Sequence, residues 1–375
     1  MYAILKSQQT STNSQDKQKE NTDVKHAKKW AAFGLAGVVT LSMSVNAFAA
    51  EYTVKKGDSL WRIAQQRLGN GNRWGEIYKA NKSSVKDPRL IYIGQTLMIP
   101  DSTDTAKPVI NNEKEITTMT NTEKALALIN TFATGDTEKA ASLLAEGYIQ
   151  HNLAYGTGRD AFVGSVAYLA SAPAKTTVQN IRAFEDGDKV FLQTVYNFAG
   201  AGEQVAFDIF RFDAEGKIAE HWDNLAAKAG PNPSGHTQID GTMAVTDLDK
   251  TEANRELVKN FLVDVMQNKH PEKTPDYFDG DAYIQHNTGI ADGLSGLGAA
   301  LVALGEQGIA MVYDETHQVL AQGNFVLAVS EGTFGGVPTS YYDLWRVENG
   351  KIAEHWDVME TIADKETWQN QNGKF

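Results

Sequence analysis

The chain has 375 residues, a formal net charge of −12 and a hydrophobic fraction of 42%, which is enough apolar material for two or three globular domains. It has no cysteine, so disulfides and thiolate sites are excluded, and any metal would need histidine or carboxylate ligands. Residues 51–100 carry nine Lys and Arg against four Asp and Glu, whereas residues 101–375 carry twenty against forty. This acidic body argues against nucleic acid as a partner.

The first 49 residues have the layout of a signal peptide. Lysines precede the apolar run 30–41, and small residues follow at Ala47 and Ala49. We expect residues 1–49 to be removed on export by cleavage after Ala49, with Ala50 as the alternative, and the protein to act in the periplasm, the cell wall or outside the cell. The alternative is a retained anchor, which polar interruptions after residue 41 disfavour, because a span needs roughly 20 apolar residues.

Residues 51–100 predict a small module with the order strand, helix, helix, strand. Alternation at 52–54 indicates the first strand, a Gly-Asp-Ser turn at 57–59 caps the first helix, and the run 96–99 closes the module. The start at 57–64, together with Trp74, Ile77, Asn81 and the ending 94–100, resembles the LysM domain.

This resemblance implies binding to N-acetylglucosamine-containing glycans, in practice peptidoglycan. Short loops suit such a ligand, because they expose backbone donors and acceptors for acetamido groups. The family's groove lies between two loops, which correspond here to Gly57, Asp58, Ser59 and Leu60 on one side and to Leu90, Ile91, Tyr92 and Ile93 on the other. Leu60 is also expected to belong to the core of the module.

Two sequence blocks recur in the rest of the chain. Tyr-Ile-Gln-His-Asn at 148–152 returns at 283–287, and Ile-Ala-Glu-His-Trp-Asp at 218–223 returns at 352–357. The spacings of about 135 residues make each copy a domain of ordinary size.

The domain boundaries follow from this repeat. The polar segment 101–120 is expected to be a linker, with domain 1 at 121–240 and domain 2 at 252–375. Each copy begins with residues at helical spacing and continues with alternating strand patterns. These patterns predict an α+β fold in which three helices pack on a curved antiparallel sheet and enclose a cone-shaped cavity. The tail of domain 1, residues 230–251, is expected to pack over its own sheet.

The recurring blocks, together with Phe-Asp-Ile-Phe-Arg at 207–211 and Tyr-Asp-Leu-Trp-Arg at 342–346, resemble the SnoaL-like (polyketide cyclase-like) family of the nuclear transport factor two-like superfamily. The resemblance implies the cone fold and a range of activities that includes aldol condensation, isomerisation and plain binding. Domains of this fold often dimerise through the open face of the sheet, so a pseudo-dimer of the tandem domains or a homodimer is expected.

Alternate residues of a strand share one face, so His221 and Asp223 should point one way and Trp222 the other; His355 and Asp357 repeat this arrangement. In a cavity, apolar walls would raise the pKa of the carboxyl group, and the imidazole could orient it or accept its proton. The resemblance implies that these aspartates are the general acid or base.

Four further residues are candidates for the same sites. His151 and His286 are expected near the cavity mouth, where they could polarise a substrate carbonyl with neighbouring Gln and Asn side chains as support. Asp208 and Asp343 are alternative cavity carboxylates in contact with the ligand; since each lies three residues before an arginine, an internal salt bridge is the other interpretation.

These residues leave several functions open. The sequence favours an exported, peptidoglycan-anchored protein with two cavities for general acid/base chemistry on a small apolar carbonyl compound. The alternative is a non-catalytic envelope protein whose cavities bind a small hydrophobic ligand or serve as a scaffold, with His-Trp-Asp as a buried structural cluster. A cell-wall hydrolase is disfavoured because no lytic motif is present. Two histidines and a carboxylate could hold a metal, but their spacing matches no established signature, so neither metal nor cofactor is predicted. Only the second copy keeps the family's Ala-Asp-Gly stretch at 291–293, and it is expected to be the working copy.

Overall fold

The computed structural model describes residues 50–55, 58, 60–68, 74–86, 91–100 and 119–375. The predicted signal peptide, nearly all of the predicted linker, and Gly57, Ser59 and Leu90 of the predicted groove lie outside the described residues. The described residues fall into two compact units, one at 50–100 and the other at 119–375. No helix among them is long and apolar enough to cross a membrane.

The N-terminal unit has the predicted order of strand, helix, helix, strand. Its elements are β1 (Ala50–Thr53), α1 (Leu60–Leu68), α2 (Trp74–Ala80) and β2 (Thr96–Ile99), with β1 and β2 antiparallel. The buried side chain of Asn81 donates to the carbonyls of Ile77 (2.6 Å) and Met98 (2.8 Å) and accepts from the Met98 amide (2.8 Å). One amide thus joins the end of α2 to β2 and satisfies backbone groups that burial would leave unpaired.

Domain 1 consists of three helices and one five-stranded sheet. Its elements are α3 (Asn121–Thr134), α4 (Thr137–Leu143), β3 (Leu144–Gln150), α5 (Arg159–Ser171), β4 (Thr177–Asp186), β5 (Lys189–Asn197), β6 (Gln204–Phe212) and β7 (Ile218–Ala227). The strand order is β3-β7-β6-β5-β4, antiparallel except that the edge strand β3 runs parallel to β7. The α+β prediction is confirmed, with a parallel edge strand that the sequence pattern did not indicate.

The first helix of domain 1 shows how local sequence sets the element ends. Thr120 and Glu123 form a reciprocal capping box that satisfies backbone donors at the start of α3. Gly135 ends the helix with a φ of 73°, a left-handed conformation that glycine adopts without strain.

Domain 2 repeats this plan with two differences. Its elements are α6 (Thr251–Phe261), β8 (Ile284–Gln285), α7 (Gly293–Glu306), β9 (Met311–Gln322), β10 (Phe325–Phe334), β11 (Val337–Glu348) and β12 (Lys351–Thr361), and the strand order is β8-β12-β11-β10-β9. The second helix is replaced by a 3₁₀ helix at Pro271–Tyr277, where Pro275 lacks the amide proton that an α-helix would use at that position. The edge strand β8 has only two residues.

Each sheet has two buried faces. The inner face packs on the helices of the same domain, as Leu192 and Phe210 do against Leu128 and Phe162 in domain 1. The outer faces of the two sheets pack against each other, and the core between them includes Phe191, Phe207, Trp222, Leu327, Leu344 and Trp356. The two domains therefore share one apolar core in the manner of packed sheets.

Polar contacts complete this junction. Asn224 donates from its side chain to the carbonyls of Ser340 and Val358, both at 2.9 Å. Arg255 of domain 2 binds both carboxylate oxygens of Asp186 in domain 1, at 2.6 and 3.0 Å. Such a two-pronged pair fixes geometry as well as charge.

The segments that follow the last strand of each domain cross to the other domain. We call residues 228–247 the connecting arm and residues 362–375 the C-terminal arm. The connecting arm packs over its own sheet, as expected, along only part of its path. In that part Gln193 and Arg182 of domain 1 donate to the carbonyls of Gln238 and Asp240 at 2.7 and 2.8 Å.

Beyond these contacts the connecting arm continues over domain 2. Gly241, at a φ of 83°, lies so close to His286, Glu354 and Trp356 that an added Cβ would overlap them. The C-terminal arm makes the reciprocal crossing, where the Gln369 amide donates to the Leu153 carbonyl at 2.8 Å.

Candidate functional site

The first loop of the predicted glycan groove is held by Asp58. Its carboxylate accepts from the Tyr52 hydroxyl (2.8 Å) and from the Lys55 amide (2.7 Å). This pairing raises the pKa of Tyr52, mainly through the hydrogen bond to the negative carboxylate. Leu60 is buried in the core of the unit, so it supports the loop from below.

The second loop presents apolar side chains. Tyr92 and Ile93 are 67% and 70% exposed, whereas Ile91 is half-buried against the core. The backbone of this loop is fixed by Gln95, whose side chain accepts from the Tyr92 amide at 3.0 Å. An exposed aromatic ring on a fixed loop is the kind of surface against which a sugar ring packs.

A polar cluster lies on the inner face of the sheet in domain 1. His221 contacts Asp208 through Nε2 (3.2 Å) and the Gln150 side-chain oxygen through Nδ1 (3.1 Å). Asp223 accepts from the Asn152 side chain at 3.0 Å, and its other carboxylate oxygen is buried without a hydrogen-bond partner. Strand parity therefore predicted the shared face of His221 and Asp223 correctly.

Domain 2 carries the same cluster. His355 contacts Asp343 through Nε2 (3.0 Å) and the Gln285 side-chain oxygen through Nδ1 (2.9 Å). Asp357 accepts from the Asn287 side chain at 2.6 Å. Five side chains thus recur in equivalent contacts, which makes the arrangement a property of the duplicated domain.

The arginines after Asp208 and Asp343 do not pair with these aspartates. Arg211 bonds Glu220 at 2.7 Å, and Arg346 bonds Glu354 at 2.6 Å. Glu220 and Glu354 flank His221 and His355 in sequence and therefore belong to the outer faces of the sheets. The internal salt bridge that the arginine spacing suggested is replaced by the His–Asp contact within each cluster.

A tyrosine completes each cluster, and sequence reasoning missed both. Tyr196 on β5 donates to Asp208 at 3.0 Å, whereas Tyr313 on β9 lies 3.2 and 3.3 Å from the two carboxylate oxygens of Asp343. Each tyrosine lies an even number of positions from other inner-face residues of its strand, and this spacing could have indicated that it faces the cluster.

The two clusters differ in their access to solvent. In domain 1 Asp223 is only 6% exposed, and α5 seals the inner face with Phe162 and Val166. In domain 2 Asp357 is half-buried, and α7 buries only Gly293. The apolar residues Leu294 and Leu297 of α7 are only partly buried against the core.

A depression of about 180 Å³ lies in domain 2 near the turn between β10 and β11 and the end of β12. It is lined by Phe334, Val337, Thr339, Met359, Glu360 and Thr361. Met359 is two residues beyond Asp357 on β12 and therefore lies on the same face of the sheet, but none of the cluster residues lines this depression. A larger depression of about 310 Å³, lined by residues that include Asp281, Arg346 and Glu348, contains none of the cluster residues.

The surroundings of Asp357 favour its neutral form. Burial is the main cause of its raised pKa; the nearby Asp343 carboxylate adds to the effect, while His355 and the Asn287 amide oppose it. Burial likewise raises the pKa of Tyr313 well above its usual value, with Asp343 contributing. A carboxyl group that is neutral more often than a free one can give up or accept a proton closer to physiological pH.

His151 and His286 do not belong to these clusters, contrary to the expectation that they line the cavity mouth. Each ring stacks on the tryptophan of the opposite sheet face: His151 on Trp222 at 4.8 Å and His286 on Trp356 at 4.6 Å between ring centroids. The physical reason is that both ring nitrogens of each histidine are already engaged on that face.

The partners of these imidazoles are glutamates and the arms. His151 contacts Glu220 and the Gly373 carbonyl, both at 2.9 Å. His286 contacts Glu354 at 3.0 Å and the Thr237 carbonyl at 2.8 Å. Burial alone would raise the pKa of Glu354, but its hydrogen bonds with His286 and Arg346 lower it to about 2. These histidines hold the arms in place.

The side chains next to these histidines also have another role than predicted. Gln150 and Asn152 were expected to support His151, and their counterparts to support His286. Instead they turn inward and bind the cluster residues His221 and Asp223, as described above.

Metal-ligand atoms come together in both clusters. Asp208, His221 and Asp223 in domain 1, and Asp343, His355 and Asp357 in domain 2, bring one ligand atom each within 4.8 Å of one another. Two further groups, His236, Asp240 and His286 and also Glu315, His317 and Glu331, bring ligand atoms equally close, so these four groups are the candidates for a metal among the described residues. His355 Nε2 and Asp343 are bonded to each other, so a metal would have to displace that hydrogen bond.

The fold and the paired inner-face clusters define a duplicated α+β domain preceded by a small module with the order strand, helix, helix, strand. The family model for the SnoaL-like domain matches residues 125–221 and 258–355, which together make up half of the chain, and the LysM model matches residues 52–100. The chain therefore belongs to the SnoaL-like family, with two such domains after a LysM domain.

Curated relatives match this chain over a short stretch of some 50 residues. The Escherichia coli potassium binding protein Kbp is 50% identical over 50 residues, which are 13% of this chain and 34% of that protein. The Micrococcus luteus resuscitation-promoting factor Rpf is 43% identical over 54 residues, which are 14% of this chain and 24% of that protein. The chain thus spans about a third or less of the length of these relatives.

Solved structures match at the level of one cone domain. The NTF2-like protein of unknown function from Cytophaga hutchinsonii is 18% identical, with 29% of this chain and 91% of that chain covered and a TM-score of 0.25. IdmH, a putative polyketide cyclase from Streptomyces antibioticus, is 21% identical, with coverages of 28% and 92% and a TM-score of 0.25.

Proposed function

We propose that this protein is exported, is held on peptidoglycan by its LysM domain, and uses domain 2 for general acid/base chemistry on a small apolar carbonyl compound. The single observation that carries the proposal is the half-buried Asp357, whose carboxyl group has a raised pKa and which lies on the same strand face as Met359, one of the residues that line the 180 Å³ depression. A group with this environment and access can exchange a proton with a bound molecule.

The roles follow from the contacts. Asp357 exchanges the proton with carbon or oxygen of the substrate, while Asn287 holds one of its oxygens in place. His355 stays next to it because Gln285 and Asp343 fix both ring nitrogens. Three of the six residues that line the depression, Phe334, Val337 and Met359, are apolar, which favours a substrate with an apolar part.

Domain 1 supports a different role. Its cluster has the same contacts, but Asp208, His221 and Asp223 are each at most 6% exposed, under a helix that closes the inner face. Such a cluster can stabilise the sheet without reaching a ligand. We assign domain 1 to the scaffold and domain 2 to the chemistry; if domain 2 also fails to bind a ligand, the non-catalytic alternative applies to both.

Ligand-induced melting shifts test the site. A panel of small ketones and aldehydes is added to the parent chain, Asp357→Asn and Asp223→Asn. The proposal predicts a stabilising shift with at least one compound, lost in Asp357→Asn and kept in Asp223→Asn. A panel that shifts none of the three chains, or shifts all three equally, contradicts it.

The LysM assignment has its own experiment. The mature chain is sedimented with purified peptidoglycan, with and without residues 51–100. We expect binding to be lost with the segment and weakened in Tyr92→Ala, which removes an exposed ring from the predicted groove. Equal sedimentation of the truncated chain would show that the glycan is bound elsewhere.

A further inference from the structure

The two clusters depend on loops that follow the edge strands. In domain 2 this loop carries Gln285 and Asn287, whose side chains bind His355 and Asp357. The position of the cluster therefore depends on how the loop backbone is held.

The loop backbone of domain 2 is held by a residue of the connecting arm, which enters from domain 1. The Asn232 side chain donates to the carbonyls of Gln285 (2.6 Å) and Ile290 (3.0 Å). Asn232 is 5% exposed, so these carbonyls have little access to water as an alternative partner.

The C-terminal arm makes a similar contact with domain 1. The Asn370 side chain donates to the carbonyls of Asn152 (2.8 Å) and Tyr155 (2.9 Å), and it too is 5% exposed. Asn152 is the residue that binds Asp223. The two contacts share one equivalent carbonyl, that of Ile290 or Tyr155, whereas the Gln150 carbonyl, which corresponds to that of Gln285, accepts from the Asn372 side chain at 2.8 Å. Each asparagine thus binds a loop of the domain opposite to the one from which its arm begins.

A turn fixes the orientation of each asparagine amide. The Asn232 side-chain oxygen accepts from the amides of Ser234 and His236, both at 3.0 Å, and the Asn370 oxygen accepts from the Asn372 amide at 3.0 Å. Because the oxygen is used within the arm, the amide nitrogen must face the loop, and only an asparagine-like side chain supplies both groups.

We propose that Asn232 is a positioning residue for the site of domain 2, and that Asn370 has the same role for the cluster of domain 1. Each domain thus orders the cluster of its neighbour. The consequence for ligand binding rests on the proposed function, whereas the crossed positioning itself rests only on these contacts.

Histidine side-chain NMR of the full chain tests the crossing. The chain has eight histidines, so the imidazole nitrogen signals of His221 and His355 can be followed separately. Asn232→Ala is expected to shift the His355 signals and to leave those of His221 in place; Asn370→Ala is expected to do the reverse. Each variant is the matched control for the other.

Three results would overturn the proposal. The first is a shift confined to the domain from which the altered arm begins, and the second is no shift in either variant. The third is equal movement of both histidines in both variants, which indicates a general loss of packing. Ser234→Ala is a milder second variant, since it removes the Ser234 hydroxyl that accepts from the Asp292 amide at 2.9 Å and keeps the backbone amide that donates to Asn232. It should shift the His355 signals in the same direction by less, and movement of His221 instead would count against the inference.

The same variants separate this inference from the proposed function. If Asn232→Ala moves the His355 signals while no compound binds the parent chain, the positioning role stands and the proposed chemistry fails. If compounds bind and Asn232→Ala weakens binding without any change at His355, the positioning role fails.

Discussion

Tyr196 and Gly332 occupy equivalent positions in the two sheets, four residues after the residue that pairs with the cluster aspartate. Tyr196 pairs with Val178, whereas Gly332 pairs with Tyr313, so the phenol has moved to the neighbouring strand in domain 2. A Cβ at position 332 would overlap the backbone of β9, which explains the glycine. In domain 1 the hydroxyl that reaches Asp208 comes from Tyr196 on β5, and in domain 2 the hydroxyl that reaches Asp343 comes from Tyr313 on β9.

Loss of the Tyr196 hydroxyl should destabilise domain 1. Tyr196→Phe leaves one oxygen of the buried Asp208 carboxylate without its donor, which typically costs about 1–3 kcal/mol. Urea unfolding measures the change. Tyr168→Phe is the control, because Tyr168 is 74% exposed and should leave the free energy of unfolding unchanged. Equal effects of the two substitutions would show that the Tyr196–Asp208 contact contributes nothing.

His286 should be essential for stability rather than for ligand binding. His286→Ala removes the stack on Trp356 and leaves the buried Glu354 with one partner fewer, which we expect to cost about 2–5 kcal/mol. Thermal unfolding compares it with His270→Ala, whose side chain is 54% exposed. If His286→Ala keeps the parent's stability but abolishes a ligand-induced shift, the assignment of this histidine to the arm is wrong.

Asp357 should make stability fall as the pH rises. Its pKa is raised in the folded state, so the native chain binds this proton more tightly than the unfolded chain does. The contribution is complete below the usual value near 3.8 and is lost as the pH rises through the folded-state pKa. Asp357→Asn removes this dependence. Its free energy of unfolding relative to that of the parent should therefore increase as the pH rises from the usual value through the folded-state pKa. Chemical unfolding at a series of pH values measures the difference; a constant difference would contradict the raised pKa.

The inner-face cluster shows what could be predicted from the sequence. Strand parity places His221 and Asp223 on one face because the period of a strand is two, whatever the rest of the fold does. The position of His151 could not be predicted in this way. Its ring is turned outward by Glu220 and by Gly373, and Gly373 lies 222 positions further along the chain.

The difference between the two domains was also only partly visible. The Ala-Asp-Gly stretch at 291–293 distinguished the second copy, but the contact made by its Asp292 does not account for the solvent access of Asp357. Asp292 and Thr157 make equivalent contacts, because their side chains accept from the backbone amides of Gln285 and Gln150 at 2.9 and 3.2 Å. The half-buried state of Asp357 instead reflects how loosely α7 covers the inner face, which depends on tertiary packing.

The most direct test of the account is hydrogen–deuterium exchange at the carbon next to the carbonyl group. The panel of small ketones and aldehydes is incubated in heavy water with the parent chain, Asp357→Asn or Asp223→Asn, and deuterium incorporation is read by mass spectrometry. Proton transfer by Asp357 predicts exchange above the buffer rate for at least one compound, abolished in Asp357→Asn and preserved in Asp223→Asn. Exchange at the buffer rate with the parent chain, or equal rates with all three chains, would contradict the acid/base role of domain 2.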